Sequence, residues 1–228
     1  RRAFGWPGIL FTAWFGTPIH ELSHIFFAKI FRHRIDHVSL FKPNKRTGGL
    51  GHVEHSYNKN SLYQKIGNFF VGSAPIIFGG AVLSLMLYFL IPDGREALSP
   101  LFQAKSIATY AVAVKQMFLI LFSAENLTRW NFWLFIYLSF CTVAHLAPSK
   151  KDRRGMWTGL GWIVFILLFI NLLFVLMRFD ATDYIIKASF HWLRMFIGIF
   201  TFALCVAIVH FLLSLLFRFI IPYRFHHP

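Results

Sequence analysis

Between Met156 and Met177 the chain carries no charged side chain and is built mostly of Leu, Ile, Phe and Val. Such a run can satisfy its own backbone in lipid only as a helix. It is also long enough to cross the hydrocarbon core, which takes about 20 apolar residues. Four further stretches read the same way: Phe4 to Phe31, Ile66 to Ile91, Trp130 to Ala147, and Trp192 to Ile221. The last is long enough to tilt. Composition agrees, with 57% hydrophobic and 14% charged residues and 29 phenylalanines, against about 25% charged in a soluble domain. The expected fold is an all-α polytopic membrane protein with about five transmembrane helices. Residues 1–228 form one membrane-embedded domain. Cys141 and Cys205 both lie in apolar runs and read as small buried hydrophobes rather than a disulfide framework.

The formal net charge is +14. In a membrane chain, Lys and Arg gather in cytoplasmic loops and beside anionic headgroups. No basic run is interleaved with aromatics outside the apolar segments, so nucleic acid is set aside as a partner in favour of the bilayer. The basic residues of the 32–65 loop, from Arg32 and Arg34 through Lys42, Lys45 and Arg46 to Lys59 and Lys65, place that loop inside, as do Lys150, Lys151, Arg153 and Arg154. Acids cluster instead in the segments around Asp93–Glu96, Glu125 and Asp180–Asp183, which are placed outside. Counting crossings then leaves residues 101–126 without a net crossing. That segment is expected to be an interfacial or re-entrant helix. The resulting topology has the N-terminus outside and the basic, aromatic C-terminus inside, most simply in the cell membrane.

The only sizeable polar region is the loop 32–65. Its segments 37–43 and 48–57 alternate apolar and polar residues, with Gly48, Gly49 and Gly51 in the second. They read as short strands, a small β-hairpin at the membrane surface.

The chemistry concentrates in the first apolar stretch, at His20, Glu21 and His24. Positions four apart share one helix face, so both imidazoles can bind one ion. Glu21 stands beside them, placed to take a proton from an attacking water. Ionisable groups at membrane depth are costly and functional by default. Zinc fits such a pair, and it needs a third protein ligand and an open position. Asp152, just past the third apolar stretch, is the first candidate, with His145 the runner-up. His52, His55 and Glu54 share one loop and are weaker candidates. Just before the motif, Pro18 either starts a new helical segment with Thr17 as its N-cap or kinks one long helix.

At these residues the chain resembles the intramembrane zinc metalloproteases of the site-2 protease type. In that family one membrane helix carries His-Glu-x-x-His, and a later helix ends near a loop bearing Asn, Pro and an Asp-Gly pair. Here Pro148 matches the proline and Asp152 the aspartate. His145 stands where the family has Asn, and Arg153 where it has Gly; Gly155 follows two residues later. The likeness covers roughly the first two thirds of the chain, to about Gly155. It implies a Zn2+ cofactor held by His20, His24 and Asp152, with Glu21 as general base. It also implies membrane-protein or peptide substrates docked in extended form on strands near Gly49, Gly51 and His52. The segment with Asn68, Gly72 and Pro75 is similar to a small-residue helix beside such a site. Asn68 is one candidate to stabilise the oxyanion, against a plain helix-packing role.

A rival reading is a non-proteolytic zinc-binding membrane protein: a transporter, a sensor or an inactive scaffold. Transporters place several polar ligands on facing helices near the midplane. The later apolar stretches here offer His145 and His210 and no acid. An intact Glu21 argues against a scaffold.

Overall fold

In a computed structural model the described residues are 5–178 and 182–220. Expectations for the chain ends, including the aromatic C-terminus, lie outside them. The chain is mostly helical. It runs α1 (Gly5–Ile30), β1 (Arg34–Ser39), β2 (His52–Ser56), α2 (Leu62–Leu90), α3 (Gly94–Gln103), α4 (Ile107–Leu121), α5 (Ala124–Leu127), α6 (Trp130–Val143), α7 (Lys150–Leu176) and α8 (Thr182–Ile220).

Among the described residues, three helices are long and apolar enough to cross a membrane: α2, α7 and the Leu193–Leu216 part of α8. The other two expected spans differ for separate reasons. α1 has 26 residues, but the polar motif interrupts its apolar character. α6 has 14 residues, about 21 Å of helix at 1.5 Å per residue, less than the hydrocarbon core.

α2 is the centre of the molecule. Over its most apolar window 56% of the residues are buried inside the protein, against 6% for α7 and 17% for α8. Glycines let its neighbours approach. A Cβ at Gly72 would collide with the Asp152 carbonyl oxygen and come within 2.7 Å of the Met156 nitrogen. On the opposing helix, a Cβ at Gly159 would collide with the Phe69 backbone. α2 and α7 therefore cross with backbones nearly touching, the small-residue contact typical of helices in lipid.

Residues 101–126 are not one helix. The chain breaks between Gln103 and Ile107, where Ser106 and Thr109 form a capping box that starts α4. α3 packs on α4, on α8 and on the far end of α2. Ala97, Leu98 and Leu101 of α3 join Ala113, Met117 and Leu121 of α4 in a core with Leu83, Leu87, Phe132, Phe135 and Phe202. The segment buries Leu101, Ala113, Met117 and Leu121 against protein and leaves Ile107, Val112 and Leu119 exposed.

α1 ends in a Schellman motif: His33 N–H donates to Ala28 C=O (2.8 Å) and Arg32 N–H to Lys29 C=O (3.1 Å). Arg32 takes the left-handed conformation, φ 56°, that this motif requires. The chain then reverses into the antiparallel hairpin β1–β2, which pairs Val38 with Val53 and Ser39 with His52 and has an irregularity between Ile35 and His37. The expected strands are present, although β1 starts three residues earlier than its alternation suggested. Three bonds tie the end of α1 and the hairpin base to α2. Tyr63 Oη–H donates to Ile30 C=O, Gln64 Nε2–H to Arg32 C=O, and His33 Nε2–H to Gln64 C=O.

Candidate metal centre and its cavity

α1 is continuous through Pro18. Of the two readings of that proline, one long helix is the one observed. Thr17, His20, Glu21 and His24 therefore share a face at helical spacing. The face is buried: Thr17 is 4% exposed, Glu21 6% and His24 5%.

Each motif histidine has one nitrogen bound to a backbone carbonyl. His20 Nδ1 lies 2.7 Å from the His145 carbonyl oxygen, and His24 Nδ1 lies 2.9 Å from that of Val71. A carbonyl only accepts, so both Nδ1 atoms carry the proton. Both Nε2 atoms are then left with lone pairs, and these face each other at 3.2 Å. Asp152 Oδ2 stands 3.7 Å from His24 Nε2. Among the described residues, His20, His24 and Asp152 form a group whose ligand atoms all lie within 4.8 Å of one another.

Two nitrogens bound tetrahedrally to one zinc at 2.0–2.1 Å would lie about 3.3 Å apart. The observed spacing matches that, and two imidazoles with one carboxylate are a donor set zinc accepts. The carbonyls of His145 and Val71 are the outer partners that metal-binding histidines require to fix their tautomer. The residues fit the ion.

Asp152 sits differently from the sequence expectation. It is not in a loop: Ser149 is the N-cap of α7, and Asp152 is the third residue of the helix. Ser149 Oγ accepts from Asp152 N–H, and Ser149 N–H donates to Asp152 Oδ2 at 2.7 Å. The Ser-Lys-Lys-Asp run is a capping box, a pattern readable in the sequence. The cap holds the carboxylate pointing back along the helix, toward His24.

His145 does not contribute its ring to this group. The ring Nε2 lies 3.2 Å from Thr12 Oγ1, and a Cβ at Gly16 would come within 2.7 Å of the ring's Cδ2. What His145 supplies to His20 is its backbone carbonyl.

A cavity of about 210 Å³ opens beside the motif, bounded by Thr17, His20 and Glu21 of α1, Leu50 and Gly51 before β2, and Ala144, His145 and Ala147. It is large enough for several waters. Gly51 is required for this closure: a Cβ there would come within 2.7 Å of the Ser39 and Leu40 carbonyl oxygens and 3.0 Å of the Thr17 methyl. The hairpin thus roofs the motif.

The other sequence candidates lie outside the cavity wall. Gly49 bridges Asn44 at the hairpin tip. His52 is exposed and stacks on His37, ring centroids 4.8 Å apart. Glu54 is exposed on β2 opposite His37. His55 bonds His33, Nδ1 to Nδ1, at 3.1 Å. Asn68 is buried on α2, where its backbone carbonyl faces Gly155.

Sequence reasoning gave Thr17 no role beyond a possible cap. Its Oγ1 is buried without a hydrogen-bond partner, an arrangement costing about 1–3 kcal/mol. Only its helical spacing from His20 and Glu21 signalled that it shares their face.

No family model matches the chain, and no curated protein or solved structure matches it either.

Proposed function

We propose that this chain is an intramembrane zinc metallopeptidase that hydrolyses peptide bonds of membrane-associated protein substrates. The observation carrying the reading is the pair of Nε2 lone pairs converging with Asp152 Oδ2, next to a cavity of about 210 Å³ that Glu21 also lines. His20, His24 and Asp152 hold the ion. Zinc, when bound, polarises a carbonyl and lowers the pKa of water to about 7. Glu21 takes the proton from the attacking water and passes it to the leaving amine. The backbone carbonyls of His145 and Val71 keep both imidazoles in the ligating tautomer. Buried Thr17 and Glu21 form the inner side of the cavity. A substrate segment unwound from its helix can pair with an edge of the β1–β2 hairpin, which lies over Glu21. The motif likeness to site-2 proteases supports this reading.

The same reading places α1 and α6 in the membrane with α2, α7 and α8, giving five spans. The end bearing Lys29, Arg32, Lys65, Lys150 and Arg154 faces the cytoplasm. Water then reaches the cavity past Ala144 and Ala147, which are exposed. The rival reading as a zinc transporter, sensor or scaffold does not account for Glu21 on the cavity wall.

The test is metal analysis and cleavage of a membrane-protein substrate by purified protein. Glu21→Gln is expected to keep zinc and lose activity by about 10²–10⁴-fold. Native-rate cleavage by Glu21→Gln sinks the mechanism, and normal zinc in Asp152→Ala sinks the ligand set.

A further inference from the structure

The hairpin β1–β2 does not stand away from α1 but lies back along it. A Cβ at Gly51 would come within 3.0 Å of the Thr17 methyl. Thr17 is near the middle of α1 (Gly5–Ile30), about 20 Å of helix before its end. Lys42 N–H donates to the Leu50 carbonyl, so the hairpin tip begins at that level. Phe41 to Thr47 are exposed without interruption and carry Lys42, Lys45 and Arg46. No acid occurs between His37 and Val53. Asp36 is paired with Arg34 at 3.3 Å, and among the described residues none of the three cations has an ion-pair partner. The backbone of the tip, by contrast, is well provided with partners. Asn44 N–H donates to the Gly49 carbonyl and Gly48 N–H to that of Asn44, while Asn44 Oδ1 accepts from the N–H groups of Arg46 and Thr47. What the tip leaves unmatched is positive charge, together with apolar Val38 and Phe41, both exposed.

With α1 in the bilayer, as the reading above places it, cations at this level of the helix are costly until something pairs them. Lipid phosphates bring the missing charge, and cations next to exposed apolar side chains suit the boundary between headgroups and acyl chains. We infer that Lys42, Lys45 and Arg46 bind the headgroups of anionic phospholipids, drawing the lipid surface in to the level of the metal centre. The inference rests on the membrane placement of α1 and not on the peptidase chemistry, since none of the three cations lines the cavity.

The test uses the full chain in lipid nanodiscs, with a fluorophore on Thr47→Cys. Cys205 is replaced by Ala, and Cys141, which is buried, is left in place. Quenching by a nitroxide on the lipid headgroup reads contact. Quenching is expected in discs containing phosphatidylglycerol, weaker in phosphatidylcholine alone, and relieved by high salt. In Lys42→Gln/Lys45→Gln/Arg46→Gln the ratio of docked to free tip is expected to fall about fivefold for each charge removed, about a hundredfold in all. Lys105→Gln/Lys115→Gln removes two exposed cations of another segment and is expected to change nothing. Equal quenching in the two kinds of disc overturns the inference, as does equal quenching in the triple variant. Quenching that salt leaves unmoved overturns it without any change to the three cations. A tip released by inorganic phosphate but not by chloride of equal ionic strength is a free-anion site, which also overturns it. Zinc content reports separately: its absence from the wild type overturns the metallopeptidase reading and leaves this inference standing.

Discussion

His20 Nε2 and His24 Nε2 face each other at 3.2 Å while the opposite nitrogen of each ring is committed to a backbone carbonyl. Two lone pairs at that distance repel, and weak screening in a buried site makes the repulsion matter. A cation between them removes the conflict. The protein is therefore expected to bind one zinc per chain, measurable by elemental analysis, and to lose thermal stability on chelation. With free zinc at 1,000 times its dissociation constant the loss is about 4 kcal/mol. A melting curve that chelator leaves unmoved would mean that the two rings tolerate each other without an ion.

His145 and Asp152 were alternatives for the third ligand, and their contacts separate them. His20 bonds the carbonyl of His145, not its ring. His145→Ala keeps that carbonyl and loses a ring bond to Thr12, so zinc content should stay near one per chain, with about 1 kcal/mol of stability lost. Asp152→Ala removes the proposed ligand oxygen and should abolish zinc binding. Zinc loss in His145→Ala with retention in Asp152→Ala would reverse the assignment.

The contrast shows what the sequence could carry. Local spacing put His20, Glu21 and His24 on one face, and alternation with glycines marked the hairpin. Ser149 and Asp152 were legible as a capping box, although the basic residues around them suggested a loop. The rest depends on which helices meet. That the His145 backbone serves His20, that α3 and α4 fold apart inside 101–126, and that Thr17 is buried without a partner are all tertiary facts. None leaves a periodic trace. The small-residue crossing of α2 and α7 lies between these cases: Gly72 and Gly159 are visible singly, but not as opposing members of one contact.

That crossing sets the position of Asp152. A Cβ at Gly72 would strike the Asp152 carbonyl oxygen and come within 2.9 Å of the Met156 Cβ. The obstacles are mainly backbone, so the first turn of α7 must move as a body. Gly72→Ala should cost about 1–3 kcal/mol of stability. It should also weaken zinc binding about tenfold or more, as displaced support for a ligand does. Gly161→Ala is the control, because a Cβ there meets nothing within 4 Å; zinc affinity should be unchanged. Equal zinc affinity in Gly72→Ala and wild type would show that Asp152 is placed by its capping box alone.

The hairpin that roofs the cavity is held by a pH-sensitive pair. His33 Nε2–H donates to the Gln64 carbonyl, so His33 Nδ1 is the acceptor and His55 Nδ1–H the donor across 3.1 Å. Protonating both rings would set N–H against N–H. Burial lowers the pKa of both rings. For His55, burial and then the neighbouring His33 push it down to about 4, from an ordinary value of about 6.5. Both groups are thus neutral when folded and bind protons more readily when released. Their contribution to docking is whole above about pH 6.5 and is lost progressively as pH falls toward 4. Hydrogen exchange in β1 and β2 should therefore be slow at pH 7.5 and, after correction for intrinsic rates, lose protection by pH 5, while protection in the middle of α2 holds. His55→Phe, which keeps an aromatic ring over His33 but cannot titrate, should dock less tightly at pH 7.5 and show a shallower dependence. An equally steep loss in His55→Phe would move the sensitivity to another group.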